Sequence, residues 1–170
     1  RQGRAWLFDG VNDYGITSAT NITYPNMSFG GMVYWQNTVT GGGIVSKGVN
    51  QEWGLFLEGG SIKMRIGAST TVSYSIKDVL AIGWHHFFGT VNGTTGTIYI
   101  DGVQVATGTV DTVPANQGYS VQVGKFGSVY PIGSSLRDIR IYSSAKDSTA
   151  VAAIYNQSLT GNGTFDETNL

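Results

Sequence analysis

Apolar and polar residues alternate along most of this chain in short runs, and the runs end at turn-forming dipeptides. In the clearest stretch, 97–106, Ile98, Ile100, Val103 and Val105 alternate with Tyr99 and Gln104 around Asp101-Gly102. Asp-Gly readily takes the positive φ angles of a type I′ turn, so the pattern predicts a two-residue hairpin. The four aliphatic residues should share a buried face, with Tyr99 and Gln104 on the other. Upstream, 84–91 reads as a strand that stops at Asn92-Gly93. A second meander joins 53–57 to 61–66 through Glu58-Gly59-Gly60, with Ile62, Met64 and Ile66 inward and Lys63 and Arg65 outward. Segments 28–35, 44–46, 71–76, 120–123 and 136–142 complete a set of short strands spaced as in a sandwich or barrel. One segment has a different period: Val151, Ile154 and Tyr155 follow Asp147-Ser148-Thr149 at helical spacing, which predicts a short helix capped by Ser or Asp. Ser, Thr, Gly and Asn dominate the end of the chain. The expected organisation is therefore one domain over 1–159 and a flexible tail or linker over 160–170.

Composition agrees with an all-β chain. A length of 170 residues suits a single core, and a chain of this size buries roughly 70% of its unfolded surface without help from disulfides or metals. There are 25 Gly and 3 Pro, and charged residues make up 12%, against a typical ~25%. Several amphipathic helices would need more charge than that, whereas Ser, Thr, Asn and Gly suit strand faces and tight turns. The net charge is −1 and no Lys/Arg cluster occurs, so no footprint for nucleic acid or an anionic membrane is present. No apolar run approaches the ~20 residues of a membrane span, and no signal-peptide pattern is seen. The chain opens at Arg1-Gln2-Gly3 without Met, as expected of a mature or excised piece of a longer protein. The lack of Cys leaves the redox compartment open. Low charge with abundant Ser, Thr and Gly fits an extracellular or virion-surface protein.

The order of the blocks resembles the laminin-G-like, concanavalin A-like jelly-roll family. Phe8-Asp9-Gly10-Val11-Asn12-Asp13-Tyr14 is similar to its opening strand and turn, and Ser28-Phe29-Gly30-Gly31-Met32-Val33-Tyr34-Trp35 to its first inner strand. Ile44-Val45-Ser46-Lys47-Gly48 and the 53–66 hairpin follow. Trp84-His85-His86-Phe87-Phe88 leading to Ile98-Tyr99-Ile100-Asp101-Gly102 is the most distinctive pair. Leu136-Arg137-Asp138-Ile139-Arg140-Ile141-Tyr142 then precedes the helix ending Ile154-Tyr155-Asn156. The resemblance implies a two-sheet antiparallel jelly-roll sandwich with one short C-terminal helix. It also implies a module that binds carbohydrate or protein, since most members are non-catalytic.

Some relatives of that fold are glycoside hydrolases, which require two carboxylates ~5 Å apart or ~6.5–9.5 Å apart. The chain has three Glu, namely Glu52, Glu58 and Glu167, and none falls in a Glu-x-Asp-x-Glu arrangement. A nucleophilic triad would need Ser or Thr with His85 or His86, yet no Gly-x-Ser-x-Gly elbow occurs. The two histidines point to opposite sheet faces, so as neighbours they cannot chelate one ion; for His86 a hydrogen-bonded, partly buried ring is expected. Many members of the family hold calcium with carboxylate and carbonyl oxygens. Asp9 and Asp138 are the candidate ligands, with Asp13 beside them; an Asx-turn for Asp9 or Asp13 and a solvated charge for Asp138 are the alternatives.

Sugar recognition needs exposed aromatic faces beside polar groups. Trp35 and Trp84 are expected in the core. Trp53 follows the polar stretch Lys47-Gly48-Val49-Asn50-Gln51-Glu52, which makes it a candidate rim aromatic with Lys47, Gln51 and Glu52 as polar partners. Tyr119, Phe126 and Tyr130, on Gly/Ser-rich loops, are secondary candidates. Three functional readings follow. A module recognising a glycan or surface polymer predicts an exposed aromatic. A structural subunit of a virion or surface appendage predicts apolar patches toward neighbouring subunits. An enzyme predicts a carboxylate pair in a groove.

Overall fold

Strand alternation builds two six-stranded antiparallel sheets, seen in a computed structural model that describes residues 5–18, 21–39, 41–48, 52–68, 70–127 and 130–160. Strands are numbered in chain order. The first sheet runs β1 (Trp6–Leu7), β14 (Ser135–Tyr142), β3 (Asn26–Trp35), β8 (Gly83–Asn92), β9 (Thr95–Ile100) and β10 (Val103–Thr109). The second runs β2 (Gly15–Ile16), β11 (Val121–Val123), β4 (Gly41–Lys47), β5 (Trp53–Glu58), β6 (Ser61–Ile66) and β7 (Thr70–Ser75). A two-stranded flap, β12 (Lys125–Phe126) and β13 (Tyr130–Pro131), and one helix, α1 (Ser148–Thr160), complete it. The chain folds as the jelly-roll sandwich with one short helix that the sequence predicts.

The core lies between the sheets. Met27, Phe29, Val33 and Trp35 of β3 and Phe87 and Val91 of β8 meet Leu55 and Leu57 of β5 and Ile62, Met64 and Ile66 of β6, all buried. Burying each such side chain stabilises the fold by about 1.5–3 kcal/mol. Inward residues sit at alternate positions, so Ser28, Gly30, Met32 and Tyr34 face away from the core, as do Trp84, His86 and Phe88. Helix α1 covers part of that outer face, packing Val151 and Ile154 on Phe88 and Tyr99. Gly30 permits this arrangement, because a Cβ there would lie 2.7 Å from the Phe88 ring.

At the hairpin, Asp101 has φ 50° and Gly102 φ 78°, as a type I′ turn requires, and Ile100 pairs with Val103. The expected faces are only partly kept. A bulge between Gln104 and Ala106 shifts the edge strand β10, and Val103 is 65% exposed. Tyr99, expected on the open face, is buried because α1 lies over it. Asp147 caps that helix through its side chain to the Ala150 amide, 2.8 Å. The helix includes Thr160, where the tail was expected to begin; 161–170 lie outside the described residues.

The flap covers the outer face of the second sheet. Phe126 stacks on Phe56 with centroids 4.0 Å apart, over Gly54, where a Cβ would meet the ring at 2.6 Å. Both edge strands β1 and β2 are two residues long, and the segment containing them leaves Trp6, Leu7, Val11, Tyr14 and Ile16 exposed. No described helix is long and apolar enough to cross a membrane.

Candidate functional site

Of the rim residues singled out in the sequence, Lys47, Glu52 and Trp53 are brought together, but buried rather than as a ligand surface. Strands β4 and β5 end at Lys47 and begin at Trp53, and their pairing folds Lys47 and Glu52 inward. Lys47 Nζ donates to Glu52 Oε2 at 2.6 Å, Asn116 Oδ1 at 2.6 Å and Thr23 Oγ1 at 2.8 Å. Its three protons thus have three acceptors. Glu52 also accepts from the Thr23 hydroxyl (2.6 Å) and the Gln117 amide (3.1 Å). Both charged side chains are fully buried, so they staple two loops to the β4–β5 turn. Trp53 is a correction too: its ring is 2% exposed, packs on Phe29, and donates from Nε1 to the Ile22 carbonyl at 3.2 Å. The crevice beside these residues has no room for a water molecule. Of the other candidates, Phe126 is stacked on Phe56 and Tyr119 is exposed beside Gly48. Tyr130 pairs with Phe126 along the flap backbone, and Gln51 lies outside the described residues.

The two candidate calcium ligands are not brought together. Asp9 sits in an exposed Asx-turn, its Oδ1 accepting the Val11 amide at 2.8 Å and the Asn12 amide at 3.2 Å. Those amides hold its carboxyl below the usual value. Phe8 bonds to Ser134, so Asp9 lies opposite Gly133, before the start of β14, while Asp138 lies five residues farther along, on the order of 16 Å away. Asp138 binds the Arg140 guanidinium at 2.8 and 3.0 Å and accepts the Ser158 hydroxyl. The pair does not fit one ion. Among the described residues, no group of three or more His, Asp or Glu could hold a metal.

The histidines also have structural surroundings. His85 Nδ1 meets Asp101 Oδ2 at 2.6 Å and Nε2 meets the Ala81 carbonyl at 2.9 Å, so neither nitrogen faces a hydroxyl nucleophile. Asp101 Oδ1 accepts the His86 amide, which clamps the hairpin turn to β8. His86 is not the partly buried, hydrogen-bonded ring expected. It is 1% exposed, stacked on Phe88 and close to Tyr155 of α1, and its Nδ1 has no hydrogen-bond partner. Of the carboxylates considered for glycosidase chemistry, Glu52 is closed in by Lys47 and Glu58 binds Lys63 at the other end of β5. Glu167 lies outside the described residues.

The open chemistry lies elsewhere, on the outer face of the first sheet beyond α1. Tyr34 and Trp84 are register partners on β3 and β8, and their rings meet edge to face at 5.7 Å and 74°. Arg137, from β14, lays its guanidinium over the Trp84 ring, 4.5 Å from the centroid. Tyr34 is 36% exposed, and Trp84 and Arg137 are half-buried. Leu7, 78% exposed, pairs with Ser135 at the same edge and extends the shelf. Arg137 Nε is buried without a hydrogen-bond partner. Asp138, its neighbour in sequence, adopts φ 52° at a bulge in β14 and pairs with Arg140 instead. Trp84 is therefore not the core residue expected. The signal was available: Trp35 faces inward, so Tyr34 must face outward, and its cross-strand partner faces outward with it.

A jelly-roll sandwich bearing an aromatic shelf defines the class of protein. A family model described as the concanavalin A-like lectin/glucanases superfamily matches residues 9–152, and the chain belongs to that superfamily. No match is found among curated proteins. Among solved structures, the binding domain of botulinum neurotoxin DC in complex with SialylT is 14% identical with TM-score 0.68, over 92% of this chain and 45% of that one. The same domain in complex with rat synaptotagmin II is 15% identical with TM-score 0.68, over 92% and 46%. A structure of botulinum neurotoxin type C, whose cell entry depends upon interaction with two ganglioside molecules, is 14% identical with TM-score 0.70, over 92% and 46%. At these identities the likeness concerns the fold alone, and this chain spans less than half of each toxin chain.

Proposed function

We propose that this domain is a non-catalytic module that binds carbohydrate on the Tyr34–Trp84–Arg137 shelf. The observation that carries the reading is the Tyr34–Trp84 pair itself, two partly open rings held edge to face on a sheet rather than on a loop. Sugar C–H faces stack on such rings while their hydroxyls seek polar neighbours, and a rigid sheet fixes the spacing of both. Membership of a lectin-containing superfamily supports the reading, as does a toxin binding domain of the same fold solved in complex with SialylT. An extracellular or particle-surface setting suits it. Trp84→Ala should weaken binding to a glycan found by array screening by about tenfold or more. Titration calorimetry checks this, and unchanged affinity would move the site off the shelf.

A second reading, a contact surface in a larger assembly, is favoured by the exposed apolar side chains of the 6–16 segment, Trp6, Leu7, Val11, Tyr14 and Ile16. It predicts self-association in sedimentation as concentration rises, reversed by Leu7→Asp. A concentration-independent monomer would count against self-assembly.

A further inference from the structure

We infer that the shelf selects acidic sugars, those carrying a carboxylate, and that Arg137 is the residue that reads the charge. The inference rests on the proposed shelf and adds a ligand class to it. Trp84 and Tyr34 alone would accept any sugar with an apolar face, since stacking does not sense charge. Arg137 changes that. Its guanidinium carbon sits 4.5 Å from the Trp84 ring centroid, which places a fixed positive charge against the ring. Its Nε is buried and bonded to no acceptor of the chain. Among the described residues no carboxylate pairs with it: Asp138 is taken by Arg140 and Ser158, and Asp101 by His85 and the His86 amide. An arginine guanidinium carries paired N–H donors, the geometry that suits a carboxylate. With a chain net charge of −1, attraction of an anion must be local to this cation rather than a property of the whole surface.

The contrast with Arg140 supports the assignment. Both arginines lie on β14, yet Arg140 is held by Asp138, Tyr142 and Gln157 in a structural role under α1. Arg137 is on the open side of the same face and has an aromatic ring as its partner.

The test uses matched pairs: an oligogalacturonate and the same oligomer methyl-esterified, and sialyllactose with lactose. Binding is followed by calorimetry and by the Trp84 indole signal in NMR. The protein should prefer the acid of at least one pair by about ten- to a hundredfold at low salt, with the preference shrinking as salt is added. Arg137→Gln should weaken binding of the acid far more than that of its neutral partner and so erase the preference, and Arg137→Lys should restore part of it. Unchanged NMR dispersion confirms that both variants are folded. Equal binding of acid and neutral partners at the Trp84 signal, or an intact preference in Arg137→Gln, overturns the acidic-sugar assignment and leaves the shelf standing. Failure of every sugar to move the Trp84 signal overturns the shelf and this inference together. Tighter binding of an aspartate-rich peptide than of any acidic sugar reassigns Arg137 to a protein ligand.

Discussion

Glu52→Ala should destabilise the domain by about 3–5 kcal/mol, because it strands a charge that has no route to water. Lys47 and Glu52 are both fully buried and 2.6 Å apart. Taking each ion out of water is costly, and the mutual attraction offsets that cost only because every remaining donor and acceptor is also met. In the variant, Lys47 retains Thr23 and Asn116 as acceptors but loses its counter-charge. The Gln117 amide loses its acceptor too, so the loop containing Asn116 and Gln117 should loosen. Urea unfolding followed by tryptophan fluorescence checks the magnitude, with Trp53 reporting from next to the pair. The double variant Lys47→Met with Glu52→Leu should recover most of the loss, since two apolar groups of similar volume leave no unpaired charge. Recovery should stop short of the parent, because the bonds to Thr23, Asn116 and Gln117 are not replaced. A cost below about 1 kcal/mol for Glu52→Ala would place the pair in the weak class of exposed salt bridges.

This pair also marks what the sequence makes legible. The strands themselves were legible where alternation ran for five or six residues, and in Ser61–Ile66 the inward and outward residues also fall as expected. The Asp101-Gly102 turn was legible from a dipeptide because its φ angles are a local matter. The two-residue strands of the flap were not, since two residues carry no period; Phe126 therefore reads as a loop aromatic although it is stacked on Phe56. Lys47, Glu52 and Trp53 read as a polar rim because what buries them comes from afar. Thr23 and Asn116 lie 24 and 69 positions from Lys47. The shelf was half legible. Parity alone places Tyr34 and Trp84 outward, but whether a helix covers that face depends on where α1 docks. It docks over Phe88 and Tyr99 and leaves Trp84 open.

The same docking should make the domain lose about 3 kcal/mol of stability between pH 6.5 and pH 4. Burial between the sheet and α1 lowers the His86 imidazole from its usual 6.5 to about 4. Asp138 and Asp101 pull the value back up and Arg140 pushes it further down, so desolvation dominates a partly cancelling field. In the unfolded chain His86 takes a proton near pH 6.5, while the folded chain keeps the ring neutral down to about 4. The unfolded state therefore binds more protons across that window, and stability falls as acid is added. At about 1.4 kcal/mol per pH unit the gap amounts to roughly 3 kcal/mol, with nothing further from this residue below pH 4. Asp9 acts outside the window: its carboxyl is held below 3.8, so any contribution it makes is lost only in stronger acid. His86→Phe isolates the effect, because a phenyl ring can keep the stack on Phe88 and the contact with Tyr155 without a site for the proton. Urea midpoints at pH 7 and pH 4 should differ much less in the variant than in the parent, and at pH 4 the variant should be the more stable of the two. Equal acid losses in both proteins would show that the His86 ring takes its proton without leaving the fold. In that case the burial under α1 would not set the acid limit of the domain.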